Sequence, residues 1–159
     1  MQFFLRKFYH LQKNFLYFVR IFYYRHLFKH FGIRSRIYGK IHVICPENIS
    51  LGSNSTLNEG VLINAYESVL VGDNVHISSY VQIITAFLHN PPQKNNDRLH
   101  GALPIVIEDG VWIGAGAIIN PGVRIGKNTI VGSGAVVTKN LEADSIYVGV
   151  PAKFLKKVG

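Results

Sequence analysis

A six-residue period governs the second half of this chain. Counting every sixth residue from Ile107 gives Ile113, Ile119, Ile125, Val131 and Val137, all β-branched aliphatics. Glycine follows at 114, 126 and 132, and the fourth residue after each aliphatic is Val111, Ala117, Val123, Thr129 or Ala135. An earlier block repeats the rule at Val71, Ile77 and Ile83, and another at Leu51, Leu57 and Ile63, two residues out of phase with the next. A period of six fits neither the helix nor the alternating strand. It fits short flat strands joined by tight corners, with one aliphatic turned inward per side. Three sides close one turn of a triangular prism. Stacked turns bury a continuous aliphatic column and pair their backbones above and below. Corners such as Gly72-Asp73-Asn74 and Gly126-Lys127-Asn128 supply the unusual backbone angles. The expected fold class is an all-β solenoid.

One stretch breaks the period. Leu88 to Pro104 has no repeat and is polar through His89, Asn90, Gln93, Lys94, Asn95, Asn96, Asp97 and Arg98. It reads as an extruded loop, residues 88–104, and long loops on rigid scaffolds commonly carry function.

The first forty residues obey a different period. Apolar residues at 4, 8, 11, 15, 18 and 22 mark one face of an α-helix, with Arg6, His10, Lys13 and Arg20 on another and Gly32 as a stop. One or two amphipathic helices are expected over about residues 3–31. Residues 1–40 hold nine Lys or Arg and no acid, because Glu47 is the first in the chain, so the net charge of +8 belongs to this arm alone. Thirteen of the eighteen Phe and Tyr also lie before residue 41. The apolar face either packs on the protein or a neighbouring subunit, or lies in the plane of a membrane surface through residues 1–31. No apolar run approaches the roughly 20 residues of a span, basic residues interrupt any signal-peptide pattern, and no nucleic-acid reader motif accompanies the charge. The expected compartment is the cytoplasm, with peripheral attachment to the inner membrane face as the sharper version. Cys45 is the single cysteine and reads as a small buried residue. The expected organisation is an arm over residues 1–35, a solenoid over 36–150 carrying the loop, and a C-terminal helix over 151–159.

The stretch VWIGAGAIINPGVRIGKNTIVGSGAVVTKN, followed by VGVPAKFLKK at 148–157, resembles the hexapeptide-repeat transferases. The pattern is similar to the galactoside and maltose O-acetyltransferase group, with relatives in nodulation-factor, capsule and colanic-acid modification, and covers about residues 45–158. The resemblance implies a left-handed parallel β-helix, a homotrimer with sites between subunits, and acetyl-CoA as acyl donor, without a metal. It implies an acetyl group moved to a hydroxyl of a sugar such as a cell-surface polysaccharide precursor. An amino sugar nucleotide or an antibiotic is the alternative acceptor, and a non-catalytic scaffold the alternative role.

Residue by residue, the resemblance makes His89 the catalytic base. An acceptor hydroxyl is a poor nucleophile until a base takes its proton, and a neutral imidazole can do so near pH 7. A solvated loop histidine is the plain alternative, with His100 as substitute base. Asn64 matches a residue that holds the acceptor, or is a structural corner. The family's N-terminal acid has no counterpart, leaving Glu59, Glu67 or another chain to supply one. Ala115 and Ser133 match small corner residues beside the pantetheine arm. Trp112 walls the same groove or simply packs. Lys139, Lys153 and Lys156 match basic positions near the CoA phosphates, or form a solvated tail. A zinc reading through His76, His89 and His100 lacks the ligand spacing such a site needs.

Overall fold

The computed structural model describes residues 1–89 and 100–159, with the side chains at 3–5, 7, 9–11, 13 and 14 outside that description. Expectations at Asn90–Arg98 and for the side chains of Phe4, His10, Leu11 and Lys13 therefore lie outside the described residues.

The chain is a left-handed parallel β-helix of three sheets, preceded by one helix. The first face stacks His30–Phe31, Ile49–Leu51, Val69–Val71, Ile105–Ile107 and Arg124–Ile125. The second runs from Arg36–Ile37 through Thr56–Leu57, His76–Ile77, Trp112–Ile113 and Ile130–Val131 to Ser145–Val148. The third stacks His42–Ile44, Leu62–Asn64, Gln82–Ile84, Ile118–Ile119 and Val136–Val137.

The period-six aliphatics form the core. Leu51, Leu57, Ile63, Ile77, Ile83, Ile113, Ile119, Ile125, Val131 and Val137 are all at 0% exposure. Fully burying one such side chain contributes roughly 1.5–3 kcal/mol, so the column is the main source of stability. The phase slip also has a structural cause. Ile49 pairs with Val69, twenty residues on, whereas Val106 pairs with Arg124, eighteen on. The two extra residues enter between Ile63 and Val71, at the corner joining the third face to the first.

That corner is also where the loop leaves. Val69 pairs with Ile105, thirty-six residues on. The loop begins as an antiparallel ribbon of Ala86–Leu88 and His100–Ala102, in the register Ala86 to Ala102, Phe87 to Gly101 and Leu88 to His100.

One expectation changes. The C-terminal residues are strand: Lys153–Lys157 runs antiparallel to Ser145–Val148. The last coil leaves an open sheet edge, and pairing with it satisfies backbone groups that an isolated short helix could not. The arm is a single helix, α1, spanning Gln2–Leu27. The half-buried residues Tyr17, Arg20, Ile21, Tyr24 and Leu27 are on its inner side, and Ile21, Tyr24 and Leu27 pack on the core. The apolar face read from the sequence points the other way: Phe8, Phe15, Phe18 and Phe22 are exposed.

Candidate active site

The ribbon's base is fixed by one buried threonine. Thr85 donates through both its backbone N–H and its Oγ1 to the Asn64 carbonyl, at 3.0 and 2.9 Å, and its Oγ1 accepts from the Glu67 N–H at 3.1 Å. Leu103 N–H closes the ribbon on the Thr85 carbonyl at 2.9 Å. A single threonine amid β-branched residues carries no sequence signal of its own, so the role of Thr85 emerges only from the fold.

His89 follows the first ribbon strand and is exposed. Its ring stands edge-on to Phe87, centroids 5.0 Å apart and planes 64° apart. Both rings lie over Gly101. A methyl group at 101 would come within 2.5 Å of the Phe87 Cζ and 3.0 Å of the His89 Nε2. Gly101 thus clears the space that lets the imidazole fold across the ribbon. Its sequence signal was faint: a glycine outside the six-residue grid.

Asn64 ends the strand of the third face just below the ribbon, in register with Ile84. Its Oδ1 is buried, with no hydrogen-bond partner among the described residues. An unpaired buried acceptor costs about 1–3 kcal/mol, so a donor brought to it there would be stabilising. Beside the ribbon base lies a hollow of about 390 Å³ lined by Tyr66, Ala86, His100, Gly101 and Ala102. His100 therefore belongs to this side of the molecule, on the opposite ribbon strand from His89.

Ala115 and Ser133 occupy another edge, the corner between the second and third faces. Here the coils stay tight and stack in a backbone ladder. Gly60 N–H donates to Lys40 O at 2.8 Å, Tyr80 to Glu59 at 3.0 Å, Gly116 to Ser79 at 3.0 Å and Gly134 to Ala115 at 2.9 Å. Gly116 and Gly134 both take φ of +68°, the left-handed region that favours glycine. A Cβ at either would meet nothing within 4 Å. At Ala115–Gly116 and Ser133–Gly134 the edge is thus a shallow run of small, exposed groups, and one coil earlier the exposed Tyr80 ring lies over Gly60.

The same edge ends at α1 in a hollow of about 450 Å³, whose lining includes Tyr17, Arg20, Tyr38, Asn58 and Glu59. The Tyr17 and Tyr38 rings stack at 6.1 Å and 28°. Burial pushes the Tyr17 phenol above its ordinary value, with the Arg36 guanidinium pulling against it. Glu59, one of the acids named from the sequence, is here; Asn58, Tyr17 and Tyr38 were not picked out, since only the fold of α1 onto the coils brings them together.

The remaining expected residues divide between the edges. Trp112 is on the second face, exposed, its Nε1 donating to Ser78 Oγ at 3.2 Å. Lys153 pairs with Val148, whose side chain lies against Gly132 beneath the Ser133 corner. Lys156 pairs with Ile146, farther along that face. Lys139 is exposed on the ribbon edge, between Val137 and the Leu141 bridge. His76 is on the second face with Nδ1 2.9 Å from Thr56 Oγ1, away from His89 and His100. Among the described residues no three His, Cys, Asp or Glu side chains gather as a metal site. One chain therefore brings His89, Asn64 and Lys139 to one edge, and Ala115, Ser133 and Lys153 to another.

Known proteins share this frame. Residues 104–139 match the bacterial transferase hexapeptide (six repeats) model. The chain is 31% identical over 113 residues to the galactoside O-acetyltransferase of Escherichia coli, covering 70% of this chain and 55% of that protein. A hexapeptide-repeat acetyltransferase from Vibrio cholerae, solved with acetyl coenzyme A, superposes with a TM-score of 0.82 at 31% identity, covering 86% of this chain and 74% of that one. A maltose O-acetyltransferase from Clostridium difficile 630 gives 0.82 at 34% identity, with 86% and 73% covered. The chain spans about half the length of the curated relatives it matches, 58%, 39% and 54% for three of them. With the repeat model, the sequence identity and the superposition all in agreement, the chain belongs to the hexapeptide-repeat transferase family.

Proposed function

We propose that the protein is an acetyl-CoA-dependent O-acetyltransferase that modifies a sugar hydroxyl, with His89 as general base. The observation that carries the reading is the separation of the two edges: an imidazole held over Gly101 on one, small exposed corners at Ala115 and Ser133 with a polar hollow farther along on the other. A homotrimer, in which one subunit's ribbon edge meets its neighbour's tight edge, joins them into one site.

Acetyl-CoA supplies the acyl group as a thioester. Ala115 and Ser133 leave room for its arm against the backbone of the tight edge, and Lys153, Lys156 and the neighbour-facing Lys139 offer point charges for its phosphates. His89 takes the proton from the acceptor hydroxyl as the oxygen attacks the acyl carbon, and returns that proton to the departing sulfur. Asn64 Oδ1 accepts a hydrogen bond from the acceptor. Stacked Tyr17 and Tyr38, with Asn58, Glu59 and Arg20, suit a pyranose: flat rings for its apolar side and polar groups for its hydroxyls. Glu59 takes the place of the acid that residues 1–46 lack. The acceptor class proposed is a precursor of a cell-surface polysaccharide, modified on the cytoplasmic side, where the donor is available.

The test is acetyl-CoA turnover against a panel of mono- and oligosaccharides, for the native chain and His89→Ala. The expected result is a fall of about 10²–10⁴-fold in kcat with donor binding retained. Equal rates would remove His89 from the chemistry.

A further inference from the structure

We infer that α1 is an in-plane anchor for an anionic lipid surface, bound through the aromatic face it turns away from the solenoid. A surface helix normally hides its apolar stripe and shows a polar one. α1 has apolar groups on both sides. Tyr17, Ile21, Tyr24 and Leu27 face the β-helix, half-buried. At about 100° per residue, Phe8, Phe15, Phe18, Val19 and Phe22 lie on the opposite side. Phe15, Phe18 and Phe22 are 66%, 69% and 60% exposed. The inner stripe already accounts for packing, and the outer one stays exposed among the described residues.

Charge selects the partner. The first acid is Glu47, and residues 1–40 carry nine Lys and Arg. Arg25 is exposed on the outer side near Phe18 and Phe22, and Lys29 is exposed just beyond the helix. Aromatic groups suit the boundary between headgroups and acyl chains, and cations beside them suit anionic headgroups, each contributing about fivefold in affinity near such a surface. A contact with a second copy of the same face would instead bring two acid-free, basic surfaces together. Among the described residues no helix is long and apolar enough to cross a membrane, which leaves the helix lying in the plane. The proposal is independent of the acetyl-transfer reading; it concerns where the protein works, not what it transfers.

Flotation of the full chain with vesicles of phosphatidylglycerol and phosphatidylcholine, against phosphatidylcholine alone, tests it, with oligomer mass and thermal midpoint measured in parallel. The native chain is expected to float with the anionic vesicles only, and less so as salt rises. The variant Phe15→Ser/Phe18→Ser/Phe22→Ser should lose tenfold or more in binding while keeping its mass, midpoint and turnover of a soluble acceptor. Arg25→Glu/Lys29→Glu, which leaves the aromatics in place, should lose at least fivefold. Failure of the native chain to float, equal binding by the serine variant, or a serine variant that falls to a smaller oligomer would each overturn the proposal, the last by assigning the face to a second copy.

Discussion

The edge that carries the ribbon and the edge that stays tight are built from the same six-residue unit, yet they use it in opposite ways. At the tight edge every coil makes the same abrupt turn. Corner stacks on corner, and Gly114 sits so close to the coil above that a Cβ would lie 2.5 Å from the Ser133 nitrogen. At the ribbon edge the corner lengths vary, from the two extra residues of the early coils to the excursion between Ile84 and Ile105. Regular stacking fixes the corners in line and frees no chain segment to reach out beyond the prism. Irregularity frees a chain segment to carry a histidine beyond the prism. Neither edge holds both rigidity and reach, which is why the proposed site joins the edges of two subunits.

The sharpest way to break this contrast is to disable the edges in separate chains. His89→Ala and Ser133→Trp should each be inactive alone. Dissociated and reassembled together, they should recover turnover that neither parent has, because some interfaces then pair two intact edges. No recovery, with mixed assemblies confirmed by mass, would place both edges of one site in a single chain.

A second measurement probes the ribbon's clearance. In Gly101→Val the added side chain must displace the free ends of Phe87 and His89, groups that can move. Stability should change by no more than about 0.5 kcal/mol, whereas kcat should drop by about 10²-fold from misplacement of the base. A normal kcat would mean that the imidazole's position over the ribbon is irrelevant to turnover.

The mirror experiment on the tight edge is Gly114→Ala. There the obstruction is backbone, so the coils themselves must part. A loss of about 1–3 kcal/mol is expected in chemical denaturation. An unchanged midpoint would show that the stack is looser than its geometry. The smallest effect belongs to Lys153→Ala, an exposed cation near the Ser133 corner. It should raise the KM for acetyl-CoA about fivefold and leave kcat alone, and an equal KM would return Lys153 to the solvated tail.

Much of the architecture was written in single-letter periodicity. Ile107 through Val137 announced their burial, because a coil of three short sides returns the same position to the core every six residues whatever surrounds it. The loop was equally plain, since an interruption of a strict period needs no tertiary information. The expected base, His89, came from the family resemblance, which puts a histidine at the start of such an interruption. The tail failed for the converse reason: Lys153–Lys157 has no period of its own, and its strand comes from the open edge of Ser145–Val148. The helical period of the arm was legible too, but a period names a face without saying where the face points. Phe8, Phe15, Phe18 and Phe22 formed the clearer stripe and ended outside, because Ile21, Tyr24 and Leu27 fit the solenoid.

What the sequence determined alone was therefore whatever repeats: the prism, its core and the point at which it opens. What only the tertiary structure decided was juxtaposition. Gly101 matters because cross-strand register puts it under His89, Asn64 because its coil lies below the ribbon, and Glu59 because α1 folds down over its corner. Repeats are local, set by contacts a fixed distance along the chain. A site is assembled from residues whose separation in sequence bears no relation to their separation in space, and only the closed coils bring them into reach.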